Sequence, residues 1–111
     1  MKPAIKKRWL AALRSGQYKQ TREVLTNGKG FCCLGVLCNL HAIEHGKEWR
    51  QTADGVVYLN MAEPDEVSVR VLKWAGLPLM TPQLPDGRDL GEINDSGTNF
   101  RRIADLIEKF L

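Results

Sequence analysis

The chain is expected to fold as one compact α+β domain over residues 1–111, with about four helices around a small antiparallel sheet built from one or two hairpins. Three observations predict this. The longest apolar run, Gly30 to Leu40, holds every cysteine and follows directly on an Asn27-Gly28 turn signal, so it reads as a strand end running into a buried helix. Apolar residues recur at helical spacing near both ends of the chain and again after Pro64. Asn27-Gly28 and Asp54-Gly55 each stand between strand-like segments, as hairpin turns do.

Taken in order, Pro3 suits a first helical turn and Gly16 a position just past a helix end. Between them Ile5, Trp9, Ala12 and Leu13 share one face, while Lys7 and Arg14 lie opposite. Glu23–Thr26 and Lys29–Cys32 are expected to pair across Asn27-Gly28, with both turn residues at positive φ. The central helix follows, over roughly Cys33–Glu44, with Gly46 placed to end it. A second hairpin is expected from residues 47–51 and 56–59. Pro64, Asp65 and Glu66 resemble a helix start, with Val67, Val71, Leu72 and Ala75 as its apolar stripe and Gly76 as its stop. Three prolines make Leu77–Asp89 a loop, pinned by Leu84, and Leu90–Ile93 has room for one helical turn. Asn99 or Thr98 should cap a last helix with Phe100, Ile103, Ala104, Ile107 and Phe110 inward.

Composition narrows the function classes. No apolar run reaches the ~18 residues of a membrane span, and no apolar core or cleavage site follows the charged N-terminus, so neither a membrane span nor a signal peptide is expected. Three cysteines, two adjacent, make a poor disulfide framework and read as free buried thiols in a reducing, cytoplasmic setting. The net charge of +3 conceals an asymmetry. Residues 1–30 carry eight Lys/Arg against Glu23 alone, a net of +7, and the remainder nets −4. That field favours an anionic partner near the N-terminal third, although the same lysines also serve to solvate an outer helix face.

Several constellations carry possible chemistry. Cys32-Cys33 and Cys38 lack paired zinc spacing, and Cys38, His41 and His45 share one helix face that cannot by itself surround an ion, so no metal is expected. Cys33 at a helix N-terminus is a conceivable nucleophile, but both histidines stand at the far end of the same helix, about a dozen ångströms away at ~1.5 Å per residue. Tyr18, Lys19, Gln20 and Arg22 combine a stacking ring, cations and an amide, the groups that hold a base and a phosphate. Asn94 to Asn99 is dense in capping side chains; Asn94 and Asp95 could face a ligand while helix amides take an anion, or simply cap turns. Phosphate loops, nucleophile elbows and zincin motifs are absent, and no nucleic-acid-binding motif accompanies the charge.

Four blocks resemble a group of small phage and prophage proteins: Trp9-x3-Leu13-Arg14-Ser15-Gly16-x-Tyr18-x-Gln20, then Gly30-Phe31-Cys32-Cys33-Leu34-Gly35-Val36-Leu37-Cys38, then Trp74-Ala75-Gly76-Leu77, and Asn94-Asp95-x-Gly97-x2-Phe100-x2-Ile103-Ala104-Asp105-x-Ile107. The chain departs from that group at Thr21 and Glu23, where small residues are usual, and at Asn39, where Asp is common. The resemblance implies a phage accessory role inside a host cell, often counter-defence. Together with the charge, the expectation is a homo-oligomeric protein, not an enzyme and without a cofactor, that sequesters an anionic nucleotide-derived small molecule through Tyr18, Lys19, Gln20, Arg22, Asn94 and Asp95. Nucleic acid is not the expected partner. Two alternatives stand beside this: an inhibitor or adaptor of a host defence protein using the basic first helix, and a small hydrolase using Asp95 or Cys33.

Overall fold

The computed structural model describes residues 1–58 and 66–111 and bears out the α+β class, with five helices and one two-stranded sheet among them. Helix α1 spans Pro3–Arg14, with proline in its first turn and Ile5, Trp9, Leu10 and Leu13 buried. Helix α2, Cys33–His45, is the centre. Every residue from Cys33 to Cys38 is buried, so this half of the helix is covered all round. The left-handed Gly46 closes it, as a residue without Cβ can do at low cost. Trp9 is fully buried and its indole N–H donates to the Cys33 carbonyl at 3.0 Å, which fixes α1 against the start of α2.

Strands β1 (Trp49–Thr52) and β2 (Gly55–Tyr58) pair antiparallel, Trp49 opposite Tyr58 and Thr52 opposite Gly55. The turn is therefore Ala53-Asp54, one residue earlier than the sequence reading placed it, because Gly55 at φ +136° already belongs to the ladder. Helix α3 spans Val69–Ala75 and is capped by Ser68, whose side chain accepts the Arg70 N–H. Glu66 and Val67 are not helical, so the helix starts later than the acids suggested; Pro64 and Asp65 lie outside the described residues. Gly76 ends it in the left-handed conformation, as expected. The loop to Asp89 folds around buried Leu84. Helix α4 (Leu90–Asp95) and helix α5 (Phe100–Phe110) complete the chain, α5 being capped by Asn99. Its inner face ends at Ile107; Phe110, the last residue of the helix, is 41% exposed, against expectation.

The first hairpin does not form. Residues 18–32 make a strap across the start of α2, with only isolated pairings: Gln20 parallel to Phe31, and Thr26 antiparallel to Phe31. Gly28 alone takes positive φ at the turn. The Asn27 side chain accepts both the Lys29 and Gly30 N–H groups (2.9 and 2.7 Å), an Asx turn that replaces the tight hairpin turn and leaves the flanks too irregular to pair as strands.

The strap lies so close to α2 that Gly35 has no room for a Cβ. One built there would overlap the Leu25 carbonyl, whose carbon would stand 2.7 Å away. No helix among the described residues is long and apolar enough to cross a membrane.

Candidate functional site

Asn94 is the best-connected polar side chain in the fold. It is fully buried at the end of α4 and uses all four of its hydrogen-bonding positions within the protein. Its Oδ1 accepts from Gln20 Nε2 (2.9 Å) and from the Cys33 N–H (3.1 Å); its Nδ2 donates to the Thr21 carbonyl (2.8 Å) and to Asp95 Oδ1 (3.3 Å). The Cys33 N–H is one of the amides that a helix start leaves without an intrahelical partner, so Asn94 caps α2 from 61 residues away. Gln20 also donates to the Thr98 carbonyl at 2.8 Å. Asp95 Oδ1 accepts the Glu23 N–H at 2.8 Å, and Glu23 is the one non-glycine residue at positive φ (69°) among those described. Gln20, Asn94 and Asp95 thus converge, as the sequence suggested, but they converge on one another. Together they clasp the strap to the starts of α2 and α5, and Asn94 keeps no donor or acceptor for a ligand.

The other predicted ligand residues are dispersed. Tyr18 is half-buried; its hydroxyl accepts from Asn39 Nδ2 (2.8 Å) and its ring meets Phe31 edge-on at 5.3 Å. Phe31 in turn meets Trp49, whose indole donates to Asn39 Oδ1 at 3.1 Å, so Tyr18 belongs to an aromatic seam between the strap and β1. Lys19 and Arg22 are exposed and make no ion pair among the described residues. The Arg22 guanidinium lies over Gly97, 3.1 Å from where a Cβ would stand.

The cysteines form scaffold. All three are buried, and burial pushes each thiol up from its ordinary value. For Cys33 this outweighs the helix N-terminus, and its Sγ donates 3.5 Å to the Leu90 carbonyl, leaving no route for an attacking thiolate. In native protein, a thiol reagent at neutral pH should therefore label none of the three within minutes, whereas all three should react in denaturant. Rapid native labelling of Cys33 would contradict this placement. His41 and His45 stack with ring centroids 4.1 Å apart, and no group of three potential metal ligands exists among the described residues.

Three charged hollows mark the described surface, two basic and one acidic. Where α1 meets α5, a groove of about 370 Å³ is lined by Lys6, Lys7, Leu10 and Arg14, with Glu108 at its edge. A second hollow of about 320 Å³, at the end of α1 and the start of α5, is lined by Arg14, Ser15, Gly16, Asn99 and Arg101. Arg14 lines both, so the two adjoin as one basic surface, called here the trough. Arg14 is held by Asp105 (2.8 Å) and Glu108 (3.1 Å), carboxylates that raise its pKa further. The first turn of α5 has no acidic residue; it carries Arg101 and Arg102, the reverse of what the helix dipole favours. The Arg101-Arg102 pair is visible in the sequence directly after Asn99 and Phe100. On the other side, a cleft of about 310 Å³ is lined by Glu23, Glu66, Asp89, Glu92 and Asp95, without a cation. Asp89 is occupied there as the cap of α4, accepting the Gly91 and Glu92 N–H groups.

No curated protein and no solved structure matches the chain. One family model does, across the entire length. The chain belongs to the family described as a domain of unknown function, DUF8296, matched over residues 1–111.

Proposed function

We propose that this protein is a non-catalytic binder of an anionic, nucleotide-derived small molecule, held in the basic trough between α1 and α5. The carrying observation is that two adjoining hollows share Arg14, so that Lys6, Lys7, Arg14 and Arg101 line neighbouring surface with Asp105 and Glu108 as the acids paired to Arg14. Phosphate oxygens would be received by Lys7 and Arg101, neither of which is in an ion pair among the described residues, near the positive end of the α5 dipole. An inverted charge pattern at that helix end is unfavourable alone and favourable once an anion sits there. Lys19 and Arg22 add to the field from the clasped strap. The phage-protein resemblance supplies the context, sequestration of a nucleotide signal used in host defence.

Calorimetry of the folded protein against nucleoside diphosphates, cyclic dinucleotides and ADP-ribose tests the reading. At least one should bind, with affinity that falls as salt rises from about 50 to 200 mM. Arg101→Glu and Lys7→Glu should each weaken that binding about tenfold or more with little change in thermal stability, since both side chains are exposed. Absence of binding across the panel would refute it.

A further inference from the structure

The histidines stand outside the three charged hollows and outside the clasp, at the joint that holds the hairpin to α2. His41 is 2% exposed, and its Nδ1 lies 2.7 Å from the Tyr58 hydroxyl on β2. His45, one turn on, stacks against it with the rings 21° from parallel. Trp74 from α3 stands edge-on to both, at 5.0 and 6.0 Å. Among the described residues, only two side-chain hydrogen bonds connect the hairpin to α2: Tyr58 with His41, and Trp49 with Asn39. Half of that polar joint therefore depends on one imidazole.

The charges around the pair are unequal. Glu44, on α2, has Oε2 at 3.6 Å from His45 Nε2; it accepts from Trp74 Nε1 at 2.6 Å and pairs with Arg8 of α1 at 2.8 Å. Those hydrogen bonds hold the Glu44 carboxyl below its ordinary range. Arg70 from α3 and Lys47 beyond α2 add positive charge, while Tyr58 faces His41 from β2 with a neutral hydroxyl. A proton on His45 has a carboxylate beside it. A proton on His41 has none in hydrogen-bonding contact and faces the stacked ring of His45.

We propose that the His41–His45 stack is an acid-operated latch, in which a proton on the buried inner ring, with no carboxylate in hydrogen-bonding contact, releases the β1–β2 hairpin from α2. The direction of the titration agrees. Burial, then the charge of His45, lowers the His41 pKa from its ordinary 6.5, and burial pushes the Tyr58 hydroxyl up to about 12, so at neutral pH the bond joins a neutral imidazole to a neutral phenol. With the folded pKa depressed, the unfolded or released state binds the extra proton. The latch is therefore fully closed above about pH 6.5 and weakens as pH falls towards the folded pKa.

Hydrogen exchange of the whole protein, read as protection factors at about pH 7.5 and pH 5, tests this alongside an NMR titration of both imidazoles. Protection of the β1–β2 amides should fall roughly tenfold on acidification while α1 and α5 keep theirs, and His45→Gln should shrink the loss. His41→Gln should abolish the pH dependence; should that variant fail to fold, wild type and His45→Gln decide the matter alone. Unchanged hairpin protection while His41 titrates, a uniform loss over all helices, or an equal loss in His45→Gln would each overturn the proposal.

Discussion

Gly35→Ala should destabilise the fold by about 3 kcal/mol or more, and this is the largest effect expected of any one-carbon change in the chain. The prediction has a distinctive sign. Gly35 lies inside α2, where replacing glycine by alanine ordinarily stabilises a helix by about 1 kcal/mol. Here the added carbon would overlap the Leu25 carbonyl, a backbone group that cannot rotate aside. Leu25 is itself buried, and its carbonyl accepts the Cys32 N–H at 3.0 Å, so moving the strap breaks the bond that leads the chain into α2. Urea denaturation with an unchanged slope should show a sharply lower midpoint. A midpoint equal to or above wild type would mean that the strap does not press on α2 as described.

Asn94→Ala comes second, with an expected loss of about 3 kcal/mol. Removing the amide strands the Cys33 N–H and the Thr21 carbonyl beside a buried gap, and it takes one of two partners from Gln20. Asn94→Asp should be no rescue, because an acceptor would then face the Thr21 carbonyl and the Asp95 carboxylate. Gln20→Ala should lose less, about 1 kcal/mol, and a double-mutant cycle of Gln20 and Asn94 should show coupling of about 0.5 kcal/mol or more. Thermal and urea unfolding measure all of these. Wild-type stability in Asn94→Ala would return Asn94 to the role of a ligand contact.

These two predictions rest on features of unequal legibility. Most helix limits were readable because they depend on local chemistry: Pro3 opens α1, Gly46 and Gly76 end α2 and α3 in the left-handed conformation, and the Asn99 side chain accepts the Arg102 N–H, whereas the start of α3 at Ser68 was not. The role of Gly35 was not readable. Its reason is a backbone carbonyl ten residues away, and nothing in the local pattern separates a helix glycine under a strap from one that merely weakens the helix. Asn27-Gly28 misled for a related reason: an Asn side chain satisfying two following amides competes with the hairpin that the same dipeptide otherwise favours.

The polar residues of Asn94–Asn99 and Gln20 stand out in the sequence as groups in need of partners, and Asn94, Thr98 and Gln20 do meet in the fold. Sequence shows that such groups need partners but not which partners they find. Burial settles that, by turning a plausible ligand set into a closed hydrogen-bond clasp. What the clasp leaves outward is charge, and it leaves it unevenly: a basic trough along α1 and α5, an acidic cleft beside α4.

The most direct test of the proposed binding is chemical-shift mapping of the protein with the nucleotide that calorimetry selects. Shifts should concentrate at Ser15, Gly16 and Asn99–Arg102 and on the Arg14 and Arg101 guanidinium groups, with the Asn94 side-chain amide unmoved. Shifts centred instead on Asp89, Glu92 and Asp95, or loss of the Asn94 hydrogen bonds on binding, would contradict the assignment of the trough as the site and the clasp as its frame.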